Sequence, residues 1–318
     1  MKLVVMIPAY NEEKTIFSVI RSIPRNCCDV VEVLVIDDGS SDHTSDEARR
    51  AGADKIVRFK KNRGLAPGFK AGLETALSMG ADIIVNIDGD GQYDGGEIPR
   101  LVGPVLDGKA DVVLGSRTLG TIEEMPLEKR LGNRIATAVT SVTCGRAVSD
   151  AQTGFRAFTR DVALRLNVMS DYTYVQETLI QMAHMDIVML EVPITFSRRT
   201  GGKSRLIGNV FRYARRAGPT ILRTYRDYMP MRTFFYAGSL FAVAGLICGL
   251  IVVAHYLDTG FVTGKLPTAI LSVLLILIGV QCYIIGVLAD MLRSHKKVQD
   301  EILYRLKKME YGKGPQDR

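Results

Sequence analysis

Two stretches toward the C-terminal end, residues 234–257 and 266–289, contain no Asp, Glu, Lys or Arg. Each has the roughly 20 apolar residues a helix needs to cross about 30 Å of hydrocarbon. Inside lipid the backbone must satisfy its own hydrogen bonds, which commits both stretches to helix. The connecting residues 258–265 carry one Lys, Lys265, whereas Arg232 precedes the first stretch and Arg293, Lys296 and Lys297 follow the second. By the positive-inside rule both termini are cytoplasmic and a short loop lies outside. Gly245, Gly249, Gly279 and Gly286 permit close helix contact, so the spans are expected to serve as anchors and as a homo-oligomer interface.

Much of the net charge of +7 gathers just before the first span. Residues 205–232 hold Arg212, Arg215, Arg216, Arg223, Arg226 and Arg232 against Asp227, interleaved with Val210, Phe211, Ile221 and Leu222. Pro219 divides this segment into two amphipathic helices. A strip of this kind could take nucleic acid, but it runs straight into the bilayer. Anionic lipid is therefore the expected partner, and nucleic acid is not. The five cysteines form no C-x-x-C pair, which suits reduced thiols on a cytosolic face. The apolar run at the N-terminus ends at Pro8 and is too short for a signal peptide, so it reads as a strand.

Residues 1–195 alternate strand and helix patterns. Strands are expected at 3–7, 30–36, 55–59, 82–87 and 110–114. Helices are expected from an Asn11 N-cap to 22, through 48 to Gly52, and at 67–79 and 98–106. Further helices fall at 126–142 and 174–185, with a strand at 187–192. The alternation predicts an α/β fold with a mostly parallel sheet and helices on both faces. Such sheets bind ligands beyond the carboxyl ends of their strands. Polar clusters fall at those ends: Tyr10, Asn11 and Glu12, then Asp37 and Asp38, then Asp88 and Asp90, then Arg117.

Asp88 and Asp90, flanked by Gly89 and Gly91, close an apolar strand. Taken alone this is a turn. With the other clusters it suits a hard cation, Mg²⁺ or Mn²⁺, shared with substrate phosphates. No G-x-G-x-x-G or G-x-x-x-x-G-K-[ST] follows a strand, which excludes a dinucleotide fingerprint and a P-loop. The segment Arg198-Arg-Thr-Gly-Gly-Lys-Ser-Arg205 joins cations to flexible backbone, either for phosphate oxygens or as a solvated linker.

Six motifs occur in order: Ile7-Pro-Ala-Tyr-Asn-Glu12, Ile36-Asp-Asp-Gly-Ser40, Asp88-Gly-Asp-Gly-Gln92, Gly115-Ser-Arg117, Asp150-Ala-Gln-Thr-Gly-Phe-Arg156, and R-x-x-G-x-S-[K/R] at Arg199, Gly202, Ser204 and Arg205. Together they make the chain resemble family 2 glycosyltransferases of GT-A, Rossmann-like fold. Within that family it resembles polyprenyl-phosphate sugar synthases of the dolichol-phosphate-mannose synthase type, with details similar to archaeal dolichyl-phosphate hexose synthases of protein N-glycosylation.

The resemblance implies that Pro8, Tyr10, Glu12, Ile36 and Asp38 contact the donor nucleoside, alongside Asp88 and Gly89. Asp88, Asp90 and Gln92 would hold Mg²⁺ or Mn²⁺. Arg117, Arg199 and Arg205 would meet the donor diphosphate or acceptor phosphate, with Asp90 among the catalytic groups. Arg130 and Ser204 are further acceptor-phosphate candidates. Mannose-specific members often carry D-A-D where this chain has Asp88-Gly-Asp90, which leaves the sugar open.

The expected organisation is a GT-A domain over 1–204, interface helices over 205–232, two spans over 233–292 and a basic tail over 293–318. The expected reaction is inverting transfer from a nucleotide-sugar, a UDP-hexose, to polyprenyl phosphate. GDP-mannose as donor and another membrane lipid as acceptor are the alternatives. A lipid phosphate needs no general base, because its second pKa of about 6 leaves it largely anionic near neutrality. Glu177 could orient sugar or acceptor, or serve only as a helix-start carboxylate. The four histidines carry no assigned chemistry.

Overall fold

A computed structural model describes residues 1–122, 127–169, 174–197 and 230–312. Residues 1–221 and 302–318 form one compact unit and residues 222–301 another.

The first unit is built on a seven-stranded sheet in the order β3-β2-β1-β4-β6-β5-β7. The strands are β1 (Lys2–Ala9), β2 (Val30–Asp37), β3 (Lys55–Arg58), β4 (Ile83–Asn86), β5 (Val112–Ile122), β6 (Arg156–Thr159) and β7 (Met189–Phe196). All neighbouring pairs are parallel except those of β6, which is antiparallel to β4 and β5. Leu3, Val4, Val5, Met6 and Ile7 are completely buried in succession. A run with no exposed face belongs to a parallel sheet covered on both sides.

Helices α1 (Ile16–Ser22), α2 (Thr44–Ala51) and α4 (Ile98–Leu106) cover one face, over a core of Val5, Ile7, Val33, Val35, Val85 and Val113. Helix α3 (Leu65–Ser78) covers the other, where Gly72 lets Met6 and the Ile36 side chain come within about a methyl group's reach of its backbone. Helices α5 (Leu127–Cys144), α6 (Arg160–Arg165) and α7 (Val175–Ala183) complete the unit.

The antiparallel strand β6 matters most for function. Asn86, the last residue of β4, pairs with Arg156, the first of β6. The loop holding Asp150 to Phe155 therefore arrives at the same sheet edge that β4 leaves.

Three local readings change. Asn11 does not cap a helix. It has a left-handed φ of 54°, and its Oδ1 accepts from Ser41 N at 2.8 Å while α1 begins at Ile16. The fifth strand does not stop at 114 but continues to Ile122, because β7 pairs with it beyond Gly115. The second apolar stretch is part of one helix, α9 (Leu266–Tyr311), which continues well past the apolar residues.

From Ile302 onward α9 belongs to the first unit. There Tyr304 is buried, its hydroxyl donates to Asp161 Oδ1, and the Arg165 guanidinium lies 4.1 Å from its ring. Lys307 donates to the Leu166 carbonyl at 2.8 Å, at the end of α6.

In the second unit, α8 (Pro230–Thr259) and the apolar part of α9 are long and apolar enough to cross a membrane. Their glycines are used within this hairpin. A Cβ on Gly238 or Gly279 would come within 2.9 Å of the other's carbonyl oxygen, and Ser272 donates to Gly245 O at 2.7 Å. Gly249 faces Ser272, and Gly286 faces Phe234.

Candidate active site

Strand β4 ends at Asn86, and the chain turns through Asp88, Gly89, Asp90 and Gly91, with a φ of 73° at Gly91. Asp88 and Asp90 are both half-buried at the carboxyl edge of the sheet. The turn is held from four directions. The Thr15 hydroxyl, almost inaccessible at the start of α1, donates to Gly89 O at 2.8 Å. Gln92 N donates to Asp90 Oδ1 at 3.1 Å. Ser197 N donates to Gln92 O at 2.9 Å, which joins the turn to the chain leaving β7. Asn86 Nδ2 donates to Gly154 O at 2.7 Å and to Tyr174 Oη at 2.9 Å.

The wall beside the turn comes from β1 and β2. Pro8, Tyr10 and Glu12 are half-buried around the end of β1. Glu12 N donates to Thr44 Oγ1 at 2.8 Å. Asp38 accepts Arg63 N at 2.7 Å and Gly64 N at 2.9 Å, which fixes the turn that opens α3. Burial raises the Asp38 carboxyl above its ordinary value despite these donors. Gly39, with a φ of 72°, passes so close to the Lys61 backbone that a Cβ would lie 2.5 Å from it. Ile36 lies near the end of β2. Its side chain is wholly buried against Gly68 and Gly72 of α3 and shapes the core beneath the wall.

Arg117 is paired within the protein. The longer β5 carries it inward, where Nε and Nη2 engage Asp150 at 2.6 and 2.8 Å and the guanidinium lies 5.0 Å from the Phe196 ring. It is 9% exposed. Its bidentate pairing holds the β6 loop onto β5.

Arg156 ties the other end of that loop to α7 through the Val175 carbonyl and Thr178 Oγ1, both at 3.0 Å. Glu177 accepts Met169 N at 3.0 Å from the first turn of α7, a scaffolding contact. Arg199, Ser204 and Arg205, with the interface helices of 205–229, lie outside the described residues. Arg130 is on α5, with its side chain outside them.

Asp88 and Asp90 can supply carboxylate oxygens to a divalent cation, and Gln92, two residues beyond Asp90, carries a further side-chain oxygen. Among the described residues no group of three or more His, Cys, Asp or Glu could hold a metal alone. A two-carboxylate oxygen set completed by substrate phosphates is the chemistry of Mg²⁺ or Mn²⁺, and these residues fit it. Thr15, Asn86, Asp150, Tyr174 and Ser197 acquire importance only from the structure. Asp150 stood in a quoted motif, whereas nothing in the sequence pointed to Ser197.

A mostly parallel α/β sheet with an acidic turn at its carboxyl edge is the fold of a GT-A glycosyltransferase. The chain belongs to glycosyltransferase family 2. The family described as "Glycosyl transferase family 2" matches residues 4–166, and "Glycosyltransferase family 2 C-terminal transmembrane region" matches residues 207–293. The protein is thus a membrane glycosyltransferase. It is 30% identical over 298 residues to Glycosyltransferase AglJ of Haloferax volcanii, covering 93% of this chain and 95% of that protein. It is 29% identical over 221 residues to the polyprenol monophosphomannose synthase of Mycolicibacterium smegmatis, covering 66% of this chain and 83% of that protein. Glucosyl-3-phosphoglycerate synthase from Mycobacterium tuberculosis, solved with Mg²⁺ and UDP, matches at 25% identity with a TM-score of 0.54, covering 70% of this chain and 79% of that one.

Proposed function

We propose that this protein transfers a hexose from UDP to a polyprenyl phosphate, with inversion, at the cytoplasmic face of the membrane. The observation that carries the reading is the pairing of Ser197 with Gln92. It holds Ser197 at the acidic turn, and the cations of Arg198–Arg205 follow Ser197 directly in the sequence, which supports a site for both a donor diphosphate and a second phosphate. The spans at the C-terminal end supply a reason for that second phosphate to be lipid-borne.

Asp88 and Asp90, with Gln92, would hold Mg²⁺ or Mn²⁺. Bound there, the cation would act as a Lewis acid toward the leaving diphosphate. Pro8, Tyr10, Glu12 and Asp38 line the nucleoside side, and Arg199 and Arg205 neutralise phosphate charge. Arg130 and Ser204 orient the acceptor. An acceptor phosphate oxygen forms the new bond to the anomeric carbon as the bond to the diphosphate oxygen breaks, and the electron pair leaves with UDP. The attacking oxygen is already anionic, so no side chain has to remove a proton.

The basic flanks of the spans support cytoplasmic termini. The donor is read as UDP because the solved neighbour binds UDP. The named mannose synthase supports mannose as the alternative sugar. A donor screen tests this reading, with purified membranes, dolichyl phosphate and each labelled nucleotide-sugar, with and without EDTA. Labelled lipid from a UDP-hexose, abolished by EDTA, is expected. Transfer only from GDP-mannose would shift the donor, and transfer that survives EDTA would remove the cation.

A further inference from the structure

The Asp88 carboxylate rests on a residue that cannot touch it. A Cβ built on Gly154 would lie 3.0 Å from both Asp88 carboxylate oxygens and 3.3 Å from its Cγ, with no other atom among its three nearest. Gly154 does not have the positive φ that demands glycine, so its backbone would accept alanine. The constraint at this position is thus space for one carboxylate.

Gly154 is also pinned. Asn86, completely buried, holds the Gly154 carbonyl at 2.7 Å and the Tyr174 hydroxyl at 2.9 Å with a single amide. Tyr174 in turn stacks on Phe69, with ring centroids 3.7 Å apart and planes 6° from parallel. The floor under Asp88 is therefore fixed to α3 and α7, directly against the carboxylate. A Cβ added at Gly154 crowds both oxygens of that carboxylate.

We propose that Gly154 is a positioning residue that sets the affinity of the divalent cation by leaving room for Asp88 in its ligating rotamer. The proposal rests on the assignment of Asp88 to the cation. Groups behind metal ligands typically change affinity by about 10–100-fold when altered. Gly154→Ala should raise the dissociation constant for Mn²⁺ in the presence of UDP by roughly that factor. The melting temperature should stay close to that of the parent.

The experiment uses the full chain purified in detergent. Free Mn²⁺ is read by electron paramagnetic resonance, with UDP present, in Gly154→Ala, Asp88→Asn and the double variant. Weaker binding in Gly154→Ala, with no further loss when it is added to Asp88→Asn, supports the proposal. Unchanged Mn²⁺ affinity in Gly154→Ala, or an equal added loss in the Asp88→Asn background, overturns it. Unchanged affinity in Asp88→Asn instead removes the cation assignment itself, and the proposal with it. Asn86→Ala unpins Gly154 without adding atoms, and must weaken Mn²⁺ even if Gly154→Ala fails to fold.

Discussion

Asp150 receives two hydrogen bonds from Arg117, at 2.6 and 2.8 Å, in a pair whose side chains are 0% and 10% exposed. A third contact, Arg117 N to Asp150 Oδ2 at 3.3 Å, closes the loop onto β5. Removing one partner strands a buried charge. Asp150→Asn is predicted to cost about 3–5 kcal/mol, read by chemical denaturation of the catalytic unit, with Arg117→Lys failing to restore bidentate geometry.

The same pair predicts a pH dependence. Burial alone would raise the Asp150 carboxyl, but hydrogen bonds and charge from Arg117 outweigh it and hold the group below its ordinary value of 3.8. A carboxyl depressed in the folded state adds stability that is present above its unfolded pKa, and that is lost as pH falls through the folded value. The acid limb of the stability curve, below about pH 4, should therefore be shallower in Asp150→Asn than in the parent. Identical acid limbs would contradict this.

Thr15 carries a prediction for the acidic turn. Thr15→Val keeps the shape and removes the hydrogen bond to Gly89 O, worth about 0.5–1.5 kcal/mol. The kcat/KM for donor should fall several-fold while Thr15→Ser stays near the parent. Equal losses in both variants would show that packing, not the hydroxyl, matters there.

The strands were legible because five consecutive buried residues, Leu3 to Ile7, leave no other way to hide both faces of the chain. Asp88-Gly-Asp90 was legible because small and acidic residues close an apolar strand. The pairing of Arg117 was not legible because its partner, Asp150, lies 33 residues away, beyond the rest of β5 and α5. Local pattern does not encode a partner that distant in the chain. Asn11 misled for a related reason: its side chain caps a turn 30 residues on, at Ser41, and takes a left-handed backbone to reach it. The glycines of the two spans announced close contact, but sequence alone did not reveal that the partner helix was their own neighbour.

Tyr304 joins the end of α9 to the catalytic unit. Losing its hydrogen bond to Asp161 and its ring beneath Arg165 should destabilise that unit by on the order of 2 kcal/mol. Tyr304→Ala should lower the denaturation midpoint of the catalytic unit. A midpoint equal to the parent's would mean that the helix end contributes nothing there.

In the hairpin, Gly279→Val must push apart backbones that leave a Cβ only 2.9 Å from Gly238 O. The variant should lose the Ser239–Tyr283 hydrogen bond of 2.9 Å and show faster proteolysis of the membrane segment in detergent. Proteolysis at the parent rate would place the glycine contact outside the hairpin's stability.

The most direct test of the account is the chemistry of the product. Purified protein given UDP-hexose labelled in the sugar, polyprenyl phosphate and Mg²⁺ should yield a labelled lipid that releases free sugar on mild acid, as a sugar phosphodiester does. Asp90→Ala, still folded and membrane-inserted, should yield none. A labelled lipid stable to mild acid, or undiminished product from Asp90→Ala, would contradict transfer to a lipid phosphate at the acidic turn.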